Sequence, residues 1–345
     1  MQLEHLVIYD RNFTDQLINF RPNETKLGER IQICSTPENW KEELKASEAL
    51  FVLIGLPEDV GVQGNLGRAG AEESWECALS SILNLQNNRF LDGSDLFLLG
   101  HINFRPIREE AEAILPENSQ RLQQLRDKVE QIDEQVSTLI EAVVTAGKVP
   151  IVIGGGHNNA YGCIKGAALG KKEAINVVNF DPHLDYRGRE GRHSGNAFRY
   201  AKEEGHLEYY FVVGAHEGYN AENIYHEFEH DQFLHVTTFE ELVIRHQKDL
   251  NLVLKNIANR WHREFTGIEI DMDAIAGMPV SAYSPSGFTV EDVRRYVHYC
   301  GKHLAPAYMH ICEGAPALGD SNAQAQVGKT IAYLIADFIK SVKSA

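Results

Sequence analysis

Paired cysteines, basic charge and long apolar runs are all scarce in this chain of 345 residues. Its five cysteines (Cys34, Cys77, Cys163, Cys300 and Cys312) are odd in number, scattered, and lack a C-x-x-C pair. That usage argues against a disulfide framework and reads as reduced thiols in a cytoplasm. No Lys/Arg-rich block interrupts a net charge of −16, so neither nucleic acid nor an anionic membrane is expected as a partner. No apolar stretch approaches the roughly 18–20 residues of a membrane span, and Met1-Gln2-Leu3-Glu4-His5 is not a basic leader. Neither G-x-G-x-x-G nor the full phosphate-loop pattern G-x-x-x-x-G-K-S/T is present. No low-complexity linker or internal repeat divides the chain. One domain over 1–345 is expected, with 1–50 as an N-terminal extension on its edge. An apolar fraction of 43% is what a soluble enzyme of this size needs for its core.

What is present is alternation. Short β-rich apolar runs occur at Phe51–Gly55, Leu96–Leu99, Val149–Ile153, Ile175–Phe180, Tyr210–Val213, Leu234–Val236, Gly267–Ile270 and Ala307–Ile311. Near-continuous apolarity suits parallel strands covered on both faces. Between the second and third runs, Leu122, Leu125, Val129, Ile132, Val136, Leu139, Ile140 and Val143 repeat at three- and four-residue steps. That predicts a helix opening at Asn118 or Ser119 and stopping at Gly147. A last helix over 323–342 carries Val327, Ile331, Leu334, Ile335 and Phe338 on one stripe. The expected class is α/β: a three-layer α/β/α sandwich on a mostly parallel sheet of about eight strands.

The chemistry concentrates in Asp181-Pro182-His183-Leu184-Asp185. In an extended backbone, positions i, i+2 and i+4 share a face, so two carboxylates and an imidazole would converge on one point. Such a set suits a divalent ion with mixed oxygen and nitrogen ligands. Taken alone, the triplet is equally a loop with capping aspartates.

Ligands of open parallel sheets sit at the carboxyl ends of strands. Four predicted strands end in chemistry: Gly154-Gly155-Gly156-His157, Asp181 to Asp185, Asp271-Met272-Asp273 and Cys312-Glu313. Singly, these read as a tight turn, helix caps and a solvated strand end. Jointly they resist that reading, because carboxylates gathered on one sheet edge cost many kcal/mol unless cations neutralise them. Two imidazoles (His157, His183) and four aspartates (Asp181, Asp185, Asp271, Asp273) exceed what one ion needs. Two ions roughly 3.5–4 Å apart are expected, activating water for hydrolysis. The absence of thiolate favours Mn²⁺ over structural zinc.

These residues resemble the ureohydrolase (arginase/agmatinase) superfamily from about Phe51 to the C-terminus. Three metal motifs appear in order: Gly154–His157, Asp181–Asp185 and Asp271–Asp273. The resemblance implies a binuclear Mn²⁺ centre, two ions per subunit, with Glu313 pairing the substrate's cationic amidine or guanidine. Within the superfamily it leans toward the formimidoylglutamases. Glu58 to Ala71, His183-Leu184-Asp185-Tyr186-Arg187 and Ser194-Gly195-Asn196-Ala197-Phe198 are similar to that family's stretches. It implies hydrolysis of N-formimidoyl-L-glutamate to L-glutamate and formamide by a metal-bridging hydroxide. Arg187, Arg68 and Asn196 are then expected to bind substrate. Arg189 and Arg192 are further candidates for its carboxylates. A guanidinobutyrase, arginase or agmatinase releasing urea is the alternative, and a non-catalytic binding protein on the same fold is the third reading. A small amidine or guanidine is the expected partner, and a homo-oligomer is compatible with the family.

Four departures from the family pattern stand out. Gly156 replaces the usual Asp before the motif histidine, so an outer carboxylate is expected to be missing. Pro182 replaces the usual Ala. Ser194 stands where arginases and agmatinases have the His of a His-Gly pair, making neighbouring His193 the candidate proton shuttle. Ala276 stands where many guanidine hydrolases carry a further Asp.

Overall fold

The computed structural model describes residues 5–261 and 264–344. The reading of Met1 to Glu4 as no leader therefore lies outside the described residues. Ten strands form one sheet: β1 (Leu6–Val7), β2 (Gln32–Ile33), β3 (Phe51–Gly55), β4 (Leu96–Ile102), β5 (Val149–Ile153), β6 (Ile175–Phe180), β7 (Leu207–Ala215), β8 (Leu234–Thr238), β9 (Phe265–Asp271) and β10 (Ala305–Cys312). Their order is β1-β4-β3-β5-β10-β9-β6-β7-β8, with β2 also on β4. All pairings are parallel except β1 on β4. The eight expected strands are all present. The two additional ones are two-residue edge strands, too short to show a periodic pattern.

Alternation within the strands divides the core into two layers. Phe51, Leu53, Ile151 and Ile153 enter one apolar cluster, while Val52, Ile54 and Val152 enter the other. The first cluster is covered by helices Ser74–Leu83, Val290–His303 and Ala323–Lys343, the second by Arg121–Thr145 and Asn159–Lys171. The last helix buries Val327, Ile331, Leu334, Ile335 and Phe338, worth about 1.5–3 kcal/mol each in transfer free energy.

The long helix starts at Arg121 rather than after an Asn118 or Ser119 cap. Asn118 Oδ1 accepts from the Gln120 amide at 2.9 Å, which shapes the turn before the helix instead of capping it. At the other end Gly147, at φ +78°, receives the chain in the left-handed region, as a C′ residue does. This helix lies unusually close to Asn159–Lys171. A Cβ on Gly166 would stand 2.5 Å from Ser137 O, and one on Gly162 2.7 Å from Val136 Cβ.

The topology positions the site. β9 and β10, last in the chain, insert between β5 and β6, so the four strands ending in candidate ligands become neighbours in the order β5-β10-β9-β6. Register keeps their ends level: Ile153 pairs with Ile311, Cys312 with Asp271, and Ile270 with Phe180.

Candidate metal centre

After β5 the chain must turn sharply to aim His157 into the sheet edge. Gly154 (φ +91°) and Gly155 (φ +74°) make that turn, and a Cβ on Gly155 would stand 2.2 Å from Asn159 Nδ2. Beneath the loop lies the fully buried Glu58. Its carboxylate accepts from Val60 N at 2.8 Å, Asn159 Nδ2 at 2.5 Å, Asn158 Nδ2 at 3.1 Å and Gly156 N at 3.3 Å. The carboxylate expected to be missing at Gly156 thus has a counterpart from another segment. A Cβ on Gly156 would lie 2.6 Å from both Asn158 Oδ1 and Val62 Cγ2, leaving an aspartate no room.

The central triplet converges by a turn, which corrects the extended reading. β6 stops at Phe180, and Asp181 Oδ1 then accepts the His183 amide at 2.6 Å. Pro182 has no N–H to continue the ladder, and Asp185 adopts φ +44°. Asp181 Oδ2 is held from behind by Asn179 Nδ2 at 2.9 Å, itself in contact with Tyr210 Oη at 2.9 Å. Asp271 caps the turn after β9, accepting Asp273 N at 2.7 Å through Oδ1. The cap and the ligand readings hold together, because its Oδ2 faces His157 at 3.4 Å.

The six candidates form two groups sharing Asp271: His157, Asp181, Asp185 and Asp271; and His183, Asp271 and Asp273. His157 Nδ1 lies 2.9 Å from Asp185 Oδ2 and 3.1 Å from Asp181 Oδ2. His183 Nδ1 lies 3.5 Å from Asp181 Oδ1 and 3.9 Å from Asp273 Oδ2. Ligands about 2.1 Å from a common cation and at right angles are themselves about 3.0 Å apart, the spacing seen around His157. His157 Nδ1 and Asp273 Oδ1 are buried and make no hydrogen bond. These residues fit divalent cations.

The electrostatics agree. Burial and the neighbouring carboxylates push Asp271 up to about 6 and Asp273 well above the usual carboxylate range. Burial also opposes ionisation of Asp181, but the neighbouring imidazoles of His157 and His183 outweigh it and hold that carboxyl below the ordinary range. Burial pulls His183 down, yet Asp181, Asp273 and Asp185 raise it to about 10. Four carboxylates crowd two imidazoles, and added positive charge is what the cluster favours.

A cleft of about 720 Å³ opens onto the cluster. It is lined by His183, Asp185, Asp271, Asp273 and Glu313, with Arg187 and Arg68 among its outer residues. Glu313, at φ +63°, accepts the His157 amide through Oε1 at 2.8 Å, and burial with Asp273 and Asp271 raises its carboxyl well above normal. Arg187 is half exposed and reaches Asn65 Oδ1 at 2.7 Å and Glu190 Oε1 at 2.6 Å. Arg68 is exposed and donates to Ser281 O at 2.7 Å. A larger cleft of about 1190 Å³ beside β8 and residues 240–250 holds none of these groups.

Other sequence candidates sit elsewhere. His193 is buried and does not line the cleft. Its Nδ1 accepts Gly195 N at 3.1 Å and its Nε2 meets Glu190 Oε1 at 3.1 Å, so both nitrogens hold the loop together. Burial, with Arg126 and Arg187 nearby, lowers it to about 4. It is not placed as a shuttle; Ser194 is the residue of this pair that lines the cleft. Asn196, expected to bind substrate, is likewise buried and does not line the cleft. Its amide donates to Gly191 O at 2.8 Å and Gly188 O at 3.2 Å, and its Oδ1 accepts from Arg192 Nη1 at 2.5 Å. Arg192 is itself buried against Asp133 Oδ2 at 2.8 Å, and Arg189 pairs with Glu204 Oε1 at 3.1 Å.

Sequence reasoning missed a polar layer behind the ligands. Glu269 on β9 receives Tyr308 Oη at 2.7 Å and meets His310 Nδ1 at 2.7 Å, all three fully buried. The available signal was position: Glu269 and Asn179 precede Asp271 and Asp181 by two, inside otherwise apolar strands.

Residues 49–337 match the family model described as Arginase family. The chain is 26% identical over 293 residues to a formimidoylglutamase of Geobacillus thermodenitrificans, covering 84% of this chain and 82% of that protein. It is 24% identical over 307 residues to a formimidoylglutamase of Salmonella agona, covering 87% of each. Among solved structures, formimidoylglutamase from Bacillus subtilis superposes with a TM-score of 0.73 at 18% identity, over 94% of both chains. Trypanosoma cruzi formiminoglutamase with Mn²⁺ superposes at 0.70 with 20% identity, over 92% of this chain and 99% of that one. No described helix is long and apolar enough to cross a membrane.

Proposed function

The chain belongs to the arginase family, and on that premise we propose that it hydrolyses a C–N bond of a linear amidine, N-formimidoyl-L-glutamate, to L-glutamate and formamide. The observation that carries the reading is the paired His/Asp cluster at the floor of a cleft that also presents Glu313 and Arg187. His157, Asp181, Asp185 and Asp271 would hold one Mn²⁺, and His183, Asp271 and Asp273 the other. When bound, the ions would supply Lewis-acid activation of water and offset the carboxylate charge.

The protein's own groups account for binding and orientation. Glu313 would accept the N–H groups of a cationic amidinium, and that charge would offset the cost of ionising a buried carboxyl beside Asp271 and Asp273. Arg187 would take a substrate carboxylate in a charge-assisted hydrogen bond, with Asn65 and Glu190 fixing its guanidinium plane. Arg68, outside the cluster and tied to the Ser281 carbonyl, is the second carboxylate partner. Arginine carries one carboxylate and agmatine none, against two in formimidoylglutamate, which supports formimidoylglutamate over a urea-releasing reaction. The two relatives above, both formimidoylglutamases, support the same choice.

We read 1–345 as one domain with 1–50 as its edge extension, supported by the pairing of β1 and β2 with β4. A cytoplasmic location is supported by five unpaired thiols. The deciding assay incubates Mn²⁺-loaded protein with formimidoylglutamate, arginine, agmatine and guanidinobutyrate in parallel. Formamide and glutamate are expected from the first alone; urea from any of the others would overturn the substrate assignment.

A further inference from the structure

His157 presents two different faces to its surroundings. Nδ1 meets the carboxylates of Asp185, Asp181 and Asp271 at 2.9, 3.1 and 3.4 Å. Nε2 points the other way, is buried, and makes no hydrogen bond. The carboxylate on that side is Glu269, whose Oε2 stands 3.5 Å from Nε2. An imidazole nitrogen left unpaired in the interior costs about 1–3 kcal/mol, and a shift of about half an ångström would bring this pair to hydrogen-bond length.

Glu269 is built to stay where it is. Tyr308 donates to its Oε1 at 2.7 Å, and His310 Nδ1 meets its Oε2 at 2.7 Å. His310 Nε2 in turn lies 3.3 Å from Gly154 O, at the start of the loop that carries His157. One end of this network therefore holds the carboxylate and the other holds the backbone of the ligand it faces. His183 has different company, with Asp181, Asp273 and the Tyr219 ring around it.

We propose that Glu269 is the positioning residue of His157: it accepts the Nε2 proton and thereby presents the Nδ1 lone pair to the cation site formed with Asp181, Asp185 and Asp271. The inference rests on the metal-centre reading above. A ligand histidine whose far nitrogen is anchored by a carboxylate has a fixed tautomer and a more basic donor atom, and loss of the anchor weakens metal about 10–100-fold. The effect centres on one ion of the pair, because Glu269 faces His157 directly, whereas the His183 group is reached only through Asp271 and Asp181.

Calorimetric titration of the full-length apo chain with MnCl₂ tests this. The wild type is expected to bind two equivalents. In Glu269→Gln, which keeps side-chain shape, one equivalent is expected to weaken about 10–100-fold while the other stays within about threefold. Tyr308→Phe removes only the hydroxyl that steadies Glu269 and is expected to weaken the same equivalent by a smaller factor; it decides the matter if Glu269→Gln does not fold. Two unchanged equivalents, or two that weaken equally, would overturn the proposal. A wild type that takes up no Mn²⁺ would instead overturn the metal-centre reading on which it stands.

Discussion

Glu313 and His157 are joined directly, because the His157 backbone N–H donates to Glu313 Oε1 at 2.8 Å across the ends of two neighbouring strands. The residue proposed to hold the amidinium is thus locked to the residue proposed to hold a cation. Glu313→Gln keeps an acceptor for that amide and removes only the charge. Its turnover is expected to fall about 10²–10³-fold, with metal content measured by mass spectrometry unchanged. A variant that lost both together would show that Glu313 supports the fold of the site and not the substrate.

Asp271 is shared by both ligand groups, so Asp271→Ala should lose both ions and all turnover. Chelation provides the cleaner readout. Wild-type protein is expected to lose about 3–4 kcal/mol of stability with EDTA for each ion, the linkage expected for a ligand at 100–1,000 times its Kd. The variant should melt at the same temperature with and without chelator, since without the shared ligand neither ion is held.

His193 supplies a pH test with a defined sign. Its folded-state value of about 4 lies below the ordinary 6.5, so the folded protein binds fewer protons than the unfolded chain between these limits. Stability should therefore be unaffected by this group above pH 6.5 and decline as pH falls toward 4, at no more than about 1.4 kcal/mol per pH unit. His193→Asn retains an acceptor for Gly195 N. Denaturant midpoints across pH 4–7 should show a shallower slope for it, with turnover at neutral pH within about threefold of wild type. A larger loss of turnover would restore His193 to the chemistry.

Two arginines close in sequence are expected to behave differently. Arg192 is buried, pairs with Asp133, donates to Asn158 O at 2.9 Å and lies over the rings of Tyr161 and Tyr200. Arg192→Ala leaves Asp133 unpaired in the interior and should cost about 3–5 kcal/mol in unfolding free energy. Arg187→Ala at the half-exposed cleft wall should leave stability nearly unchanged and raise KM by about tenfold or more, the worth of a charge-assisted hydrogen bond. Steady-state kinetics beside chemical denaturation separates the two cases.

Gly166 tests the helix pair that carries the His157 loop. A methyl group there would press on Ser137 O at 2.5 Å and Ile140 Cβ at 2.8 Å. Gly166→Ala should destabilise by about 1–3 kcal/mol despite its better helix propensity, and thermal melts would reveal it. A gain in stability would mean the helices have room to separate.

Much of this protein is legible in its sequence. The apolar runs located all eight main strands, because a strand buried on both faces must be apolar throughout and has little other reason to be so. Six ligand-type residues at strand ends could be picked out because their motifs are local: each lies within a few residues of a strand terminus. The limit came where local spacing admits more than one backbone path. Asp181, His183 and Asp185 read as extended, yet an Asp181-to-His183 turn and a left-handed Asp185 bring them together.

Other assignments depended on tertiary structure alone. Arg187, Arg189 and Arg192 are equivalent in sequence, but only the fold puts the first on the cleft, the second on Glu204 and the third against Asp133. His193 and Asn196 turned out to stitch their own loop, and Glu58, Glu269 and His310 emerged as the support beneath His157. The reason is one of range. Strand and turn formation are set by neighbours along the chain, whereas the role of a polar side chain is set by what meets it in space. Here that partner arrives from far along the chain, 156 residues away in the case of Glu313 and His157.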